Sequence, residues 1–185
     1  MTLAQRRPSA PAASVRDAVD ADMATVAAIY AHHVRTGLAT FEETPPSEAE
    51  IAERWRGVLA LGLPYLVAEL DGAVCGFAYA APYRARSAYR YSVEDSIYVA
   101  PDKNGRGIGG ALLAALIPRC AVADKRLMVA VIGDSANVAS IGVHAKAGFR
   151  VAGVLPAVGY KLGRWVDSVI MVRPLGDADR TPPTR

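Results

Sequence analysis

Asn104-Gly105-Arg106-Gly107-Ile108-Gly109-Gly110 is the stretch whose residue types point most directly to chemistry. Gly105, Gly107, Gly109 and Gly110 let the backbone take positive φ and let a ligand come close. The Ala/Leu run from Ile108 onward is helix-forming, so the loop delivers unpaired N–H groups at a helix start. Such amides form an anion cradle, and a phosphate is the expected guest. Upstream, residues 91–99 alternate as a strand, with Tyr91, Val93, Asp95, Ile97 and Val99 on one face. Ser92, Glu94, Ser96 and Tyr98 take the other. Pro101 cannot donate to a ladder and ends the strand. The unit is strand, glycine loop, helix.

Which phosphate it takes depends on context. Gly105-x-Gly107-x-x-Gly110 also satisfies the dinucleotide fingerprint. That fingerprint opens a βαβ unit and has an acidic residue about 20 positions on, at the end of the next strand. Here a long segment precedes the loop, Asp124 falls before the next strand, and Asp134 lies late. No Gly-Lys-Ser/Thr follows, which excludes a P-loop. A strand ending in Tyr98-Val99 and followed by 104–109 instead resembles the coenzyme A loop of the GNAT acetyltransferases. Asn104 departs from that pattern, standing where the family has Arg or Gln. Lys103 or Arg106 is left to supply the charge. A bare glycine turn with no ligand is the plain alternative.

The 185 residues suit one domain. Charged residues make up 21% and the apolar runs are too short for a membrane span, so the chain reads as globular. A net charge of +3, with no Lys/Arg block, argues against a nucleic-acid partner. Cys75 and Cys120 lie far apart without metal spacing and read as buried apolar side chains of a reduced, cytoplasmic protein. No metal is expected. Residues 1–13, rich in Pro, Ala and Arg, lack the apolar core of a signal peptide and read as a disordered extension. The domain is placed at 14–176, with a disordered tail at 177–185.

The elements that must position the loop follow from periodicity. A strand is predicted at 15–19, then a helix capped by Asp20 with Met23, Val26, Ala27, Ile29, Tyr30 and Val34 as its apolar stripe. His32 and His33 near its end read as surface or half-buried. Ser47-x-x-Glu50 is a capping box for a second helix reaching about Leu61. Strands at 64–70 and 73–81 flank an Asp71-Gly72 hairpin turn. After the loop-helix, which Pro118 should kink or end early, comes a buried strand at 126–132. A short helix at 136–147, capped by Asp134 or Ser135 and stopped by Gly148, sets Asn137, Ile141 and His144 on one face. Strands at 150–161 and 165–173 close an α+β fold around a mixed sheet, not a doubly wound one.

Several further stretches sharpen the likeness: Thr40-Phe41-Glu42, Leu63-Pro64-Tyr65-Leu66-Val67-Ala68, Pro82-Tyr83-Arg84-x-Arg86, and Tyr91-x-Val93-Glu94-x-Ser96-x-Tyr98-Val99. To these are added Val131-Ile132-Gly133, Ala139-Ser140-Ile141-Gly142-x-His144 and Gly159-Tyr160-Lys161-x-Gly163-x-Trp165. Together, over about 15–175, they resemble the phosphinothricin N-acetyltransferase branch of the GNAT superfamily. The resemblance implies a mostly antiparallel twisted sheet of about seven strands flanked by about four helices. It implies acetyl-CoA as cofactor, held by Ile97, Tyr98, Val99, Gly105, Arg106, Gly107, Ile108, Gly109, Gly110, Asn137 and Ser140. A homodimer is implied too, with one subunit's loop helping the other's pocket.

The acceptor in that branch is a small amino-acid analogue of the phosphinothricin, methionine sulfoximine or methionine sulfone type. Its α-amine is mostly ammonium near neutral pH and must lose a proton before attacking a thioester. Glu94 is placed to take it, directly or through water; a structural salt bridge to Arg90 is the alternative. The family's oxyanion donor is a backbone N–H at a bulge in this strand, around 97–99. His144 stands where many members have a proton-donating Tyr, so it is either general acid or a histidine packed on the central strand. Arg84 and Arg86 offer forks for the acceptor's anionic groups, with Tyr83 and Tyr91 as walls and Phe41 and Lys161 as further candidates. The pair could also be a solvated basic loop. Two other readings stay open: a GNAT enzyme for a polyamine, aminoglycoside or protein N-terminus, and an acetyl-CoA-binding protein without activity.

Overall fold

Asp71 and Gly72 both take positive φ, 54° and 78°, and so form the tight turn that joins two strands in register. This hairpin sits in a computed structural model that describes residues 13–183. All but Ala13 of the expected N-terminal extension lies outside the described residues. The elements run β1 (Ser14–Asp17), α1 (Met23–Thr36), α2 (Glu48–Ala60), β2 (Tyr65–Leu70), β3 (Ala73–Pro82), β4 (Ser92–Val99), α3 (Ile108–Val122), β5 (Leu127–Gly133), α4 (Val138–Lys146), β6 (Arg150–Lys161) and β7 (Arg164–Pro174). Their order is the one the periodicity predicts. Among the described residues one sheet holds seven strands in the order β1-β2-β3-β4-β5-β7-β6, and only β4 and β5 run parallel. Helices α1 and α2 pack on one face, α3 and α4 on the other.

The predicted capping box of α2 forms: Ser47 Oγ accepts from Glu50 N–H at 3.3 Å, and Glu50 returns to Ser47 N–H at 2.7 Å. Four local expectations are corrected. The first strand stops at Asp17, and Asp20 opens a 3-10 turn and pairs with Arg56 at the surface instead of capping α1. Its neighbour Asp22 is the buried acid there, fixed by a two-pronged Arg16 at 2.7 and 2.8 Å. Pro118 does not end α3, which runs on to Val122. The N–H it lacks would have bonded Ala114 O, and both residues lie on the exposed side, where water can serve that carbonyl. Helix α4 is capped by Asn137, whose Oδ1 accepts from Ser140 N–H at 3.2 Å, not by Asp134 or Ser135.

The core lies under α3, where Leu112, Leu113, Leu116 and Cys120 are fully buried beside Leu66, Ala78, Val93 and Met128. Cys75 is buried too, and both thiols are free. Past β7 the chain turns at 177–180, and Thr181 accepts from Arg126 at 3.2 Å. Part of the expected loose tail is therefore tied to the domain.

One irregularity makes the site. β4 pairs with β5 only over Ser92–Asp95 against Leu127–Ala130. Beyond that, β4 stays with β3 as far as Val99, and β5 stays with β7 as far as Gly133. The two strands splay and leave a wedge in the middle of the sheet.

Candidate active site

The backbone of β4 decides what the wedge offers. Ala100 N–H donates to Cys75 O and Tyr83 N–H to Ser92 O, so even-numbered β4 residues bond towards β3. Odd-numbered ones turn the other way, and Tyr91 O accepts from Arg126 N–H. Past Asp95 that other side is the wedge, so the N–H groups of Ile97 and Val99 face it without a strand partner among the described residues. The carbonyl of Val99 is taken by His33 Nε2 at 2.9 Å. Burial pushes the His33 imidazole below its ordinary range, which keeps it neutral and donating to that carbonyl. β4 carries no register shift, so the expected bulge at 97–99 is absent; splayed pairing exposes the amides instead.

On the α3/α4 side the wedge opens into a groove of about 930 Å³. Ile97, Tyr98, Val99, Gly105, Gly107, Ile108, Gly109, Gly110, Asn137 and Ser140 all line it. Gly107 precedes α3 at φ 78°, and a Cβ on Gly105, Gly107 or Gly110 would meet nothing within 4 Å. Open space over consecutive helix-start amides is what a pyrophosphate needs, so the residues fit coenzyme A. Arg106 is the exception, exposed and outside the groove, while Lys103 and Lys146 border it. Asn104 folds back onto Pro101 O at 3.1 Å, and Lys103 at the groove's border pairs with Asp102 at 2.7 Å.

On the α1 side a cavity of about 310 Å³ meets the groove at Ala39, Ile97, Tyr98, Gly133, Asn137, Ser140 and His144. Glu94 stands in its wall with Tyr30, Thr40, Phe41, Tyr79 and Ser96. Glu94 is half-buried and, among the described residues, forms no salt bridge, so the Arg90 alternative is not seen. Burial, then the like charge of Asp95, pushes its carboxyl above the ordinary range, against a smaller pull from Arg84. Phe41 lies against Gly159 and Gly133: a Cβ on Gly159 would stand 2.6 Å from its ring. Tyr30 hydroxyl bonds Thr40 at 2.9 Å and Glu42 at 3.0 Å, anchoring the 38–42 loop.

The other acceptor-side candidates are not brought together. Arg84 and Arg86 are exposed on the loop after β3 and do not line the cavity. Arg84 stacks on Tyr83, and Arg90 on Tyr91, which falls in register with the opposite sheet face. Lys161 is 3% exposed, behind the wall, donating to Thr40 O at 2.7 Å. Among the described lining residues the cavity has no Lys or Arg. Sequence reasoning missed Tyr30, Tyr79, Ser96 and Ser168 as wall residues and His33 as the clamp on Val99. Tyr30 read as helix core, which it also is.

His144 is 5% exposed. Its Nδ1 donates to Ser140 O at 2.8 Å and its Nε2 lies 3.0 Å from Asp95 Oδ2. Both ring nitrogens are engaged by protein oxygens. The packed alternative describes its hydrogen bonding.

A splayed sheet with a glycine cradle on one side and a carboxylate cavity on the other is an arrangement for joining two substrates through the sheet. A profile of the acetyltransferase (GNAT) family matches residues 26–149, and the chain belongs to that family. It is 55% identical over 172 residues to phosphinothricin N-acetyltransferase of Alcaligenes faecalis, covering 93% of this chain and 87% of the relative. It is 42% identical to the L-methionine sulfoximine/L-methionine sulfone acetyltransferase of Pseudomonas aeruginosa, over 86% of this chain and 92% of that one. The phosphinothricin acetyltransferase of Sinorhizobium meliloti, solved in complex with acetyl-CoA, superposes with a TM-score of 0.91 at 48% identity, covering 95% of each chain. The cofactor is acetyl-CoA.

Proposed function

We propose that this enzyme transfers acetyl from acetyl-CoA to the α-amine of a small amino-acid analogue of the phosphinothricin or methionine sulfoximine type. The observation that carries the reading is Glu94, a half-buried carboxylate in the cavity wall, without an ion pair among the described residues and with its proton affinity raised. A base for an ammonium group works best with its pKa moved towards the working pH. Bound acetyl-CoA supplies an activated thioester carbonyl. This chain then orients the amine in the cavity, accepts its proton on a Glu94 oxygen, and offers the Ile97 or Val99 N–H to the carbonyl oxygen. The relatives' named substrates support the acceptor class.

An anionic acceptor needs a cation, none is among the described residues of the cavity wall, and we assign it to Arg84 and Arg86 of a second copy. Edge strand β6 with its partner β7 exposes Val151, Val154, Leu155, Val158, Tyr160 and Trp165, an apolar edge suited to such a dimer. Mixing Glu94→Gln and Arg86→Ala chains should restore part of the activity that each lacks alone; no restoration would sink the shared pocket. The free, buried Cys75 and Cys120 fit a cytoplasmic home.

A second reading has its own observation: a cavity walled by Glu94 and Asp95 suits a cationic amine such as a polyamine or aminoglycoside. Thiol release from acetyl-CoA, screened against phosphinothricin, methionine sulfoximine, methionine sulfone and several cationic amines, separates the two. Turnover with cationic amines alone would overturn the first.

A further inference from the structure

Asp95 and His144 form a buried pair that the acetyl-transfer steps above do not use. The two residues are 6% and 5% exposed, on β4 and α4, and both border the acceptor cavity. Ser140 O can only accept, so His144 Nδ1 carries a proton. Nε2 faces a carboxylate oxygen, and a lone pair there would repel it as long as Asp95 is ionised. Burial pushes His144 down, but the hydrogen bond and charge of Asp95, with the Ser140 carbonyl, lift it above the ordinary imidazole range. Ser140 is itself held by the Asn137 cap, and the Phe149 ring meets the imidazole edge-on at 5.1 Å.

The groups around the pair make its charge state specific. Glu94 is the next residue on β4 and points to the other face. Cys120 of α3 stays a thiol, its ionisation pushed up to about 12 by burial and by Asp95. Lys146, two residues past His144 at the end of α4, borders the groove. Asp95 Oδ1 is buried with no hydrogen-bond partner among the described residues. Buried ion pairs are often no more stable than apolar packing, and one with an orphaned oxygen is worse. Stability does not account for this pair.

We propose that Asp95 is the positioning residue of the transfer site, holding the His144 ring, protonated on both nitrogens, in the wall between the acceptor cavity and the cofactor groove. The inference rests on the acetyl-transfer reading above. Glu94 takes the ammonium proton before attack and passes it to water. As the C–N bond forms and the C–S bond breaks, the electron pair stays on sulfur and the nitrogen's second proton goes to the vacated Glu94 carboxylate. The departing thiolate then meets a fixed positive charge instead of a proton donor, since both His144 N–H bonds end on protein oxygens. The same Asp95 charge acts through the strand on Glu94 and makes it a stronger base. One carboxylate thus sets the charge on both sides of the sheet.

Ring-nitrogen NMR of histidine-labelled protein tests this without any acceptor. The chain has three histidines, and His144→Gln identifies the third signal by its loss. At pH 6.5, where an ordinary imidazole is about half protonated, His144 should show both nitrogens protonated, and Asp95→Asn should leave one. A single protonated nitrogen in the unaltered protein overturns the proposal, even if the variant does not fold. In turnover, Asp95→Asn should lower kcat about ten- to hundredfold, within the range of a lost electrostatic stabiliser. KM for acetyl-CoA should stay within about threefold, and the alkaline limb of kcat should move to lower pH. An Asp95→Asn limb identical to wild type also overturns it. If no amine is acetylated at all, the transfer reading fails while the NMR result still decides the Asp95–His144 pair.

Discussion

The cofactor groove and the acceptor cavity share one wedge but are built from different material. The groove is mostly backbone: free amides of β4 and of the α3 start, kept open by glycines. The cavity is mostly side chain, drawn from α1, the 38–41 loop, β3, β4, β5, α4 and β7. A backbone site is set by conformation and tolerates most side-chain changes. A side-chain site depends on many small placements, each of which can tune which amine enters.

Substitutions should fall into those two kinds, and the largest effect is expected in the cradle. Gly107→Asp puts a charged side chain at positive φ into the space for a pyrophosphate, so acetyl-CoA should no longer raise the melting temperature. A normal thermal shift in that variant would mean the amides are not the anchor.

Next comes Glu94→Gln, expected to lower kcat about 10²–10⁴-fold with acetyl-CoA binding intact. Wild-type kcat/KM should have an acidic limb above the ordinary glutamate range, and the variant should lose it. The stability sign is opposite to the activity sign. A raised carboxyl binds its proton more tightly folded than unfolded, so it costs stability as pH climbs from the ordinary glutamate range through the raised one. Glu94→Gln should therefore melt no lower than wild type at pH 7. A destabilised variant with normal kcat per folded molecule would make Glu94 structural.

Gly159→Ala pushes a methyl against the Phe41 ring. It should raise KM for the amine, by up to about a hundredfold if the ring moves by an ångström, and spare acetyl-CoA affinity. Equal damage to both would show that cavity and groove are not separable at this wall. The smallest change is Asn137→Ala, which removes the α4 cap for about 1 kcal/mol. Thermal unfolding would read this as a drop of a few degrees, together with a weaker hold on the Ser140 carbonyl.

Conformation was legible from local sequence, and convergence was not. The glycine loop, the Asp71-Gly72 turn and the Ser47/Glu50 box each announce themselves within a few residues, because glycine freedom and capping are local. The alternation of 91–99 put Asp95 on the face of Val93 and Ile97, where it meets His144 of α4. What periodicity could not supply is where β4 and β5 part. No residue type marks a strand that loses its partner after Asp95. Arg84 and Arg86 were placed in the acceptor site by likeness, and their loop stands outside this cavity. Pro118 misled because a proline facing water forfeits little. His144 is the middle case: its helix face was legible, but not the aspartate that takes its second nitrogen.

The short contact between β4 and β5 makes the sheet two half-sheets, β1–β4 and β5–β7, joined by four residue pairs. A molecule seated in the wedge touches both halves, so its binding energy adds to the energy of separating them. Hydrogen exchange would show this residue by residue. Without ligand, the Ile97 and Val99 amides should exchange far faster than their even-numbered neighbours Ser96 and Tyr98, which bond to β3. With acetyl-CoA present they should slow towards the rate of the strand interior, and β5 should gain protection with them although its own ladder to β7 is unchanged.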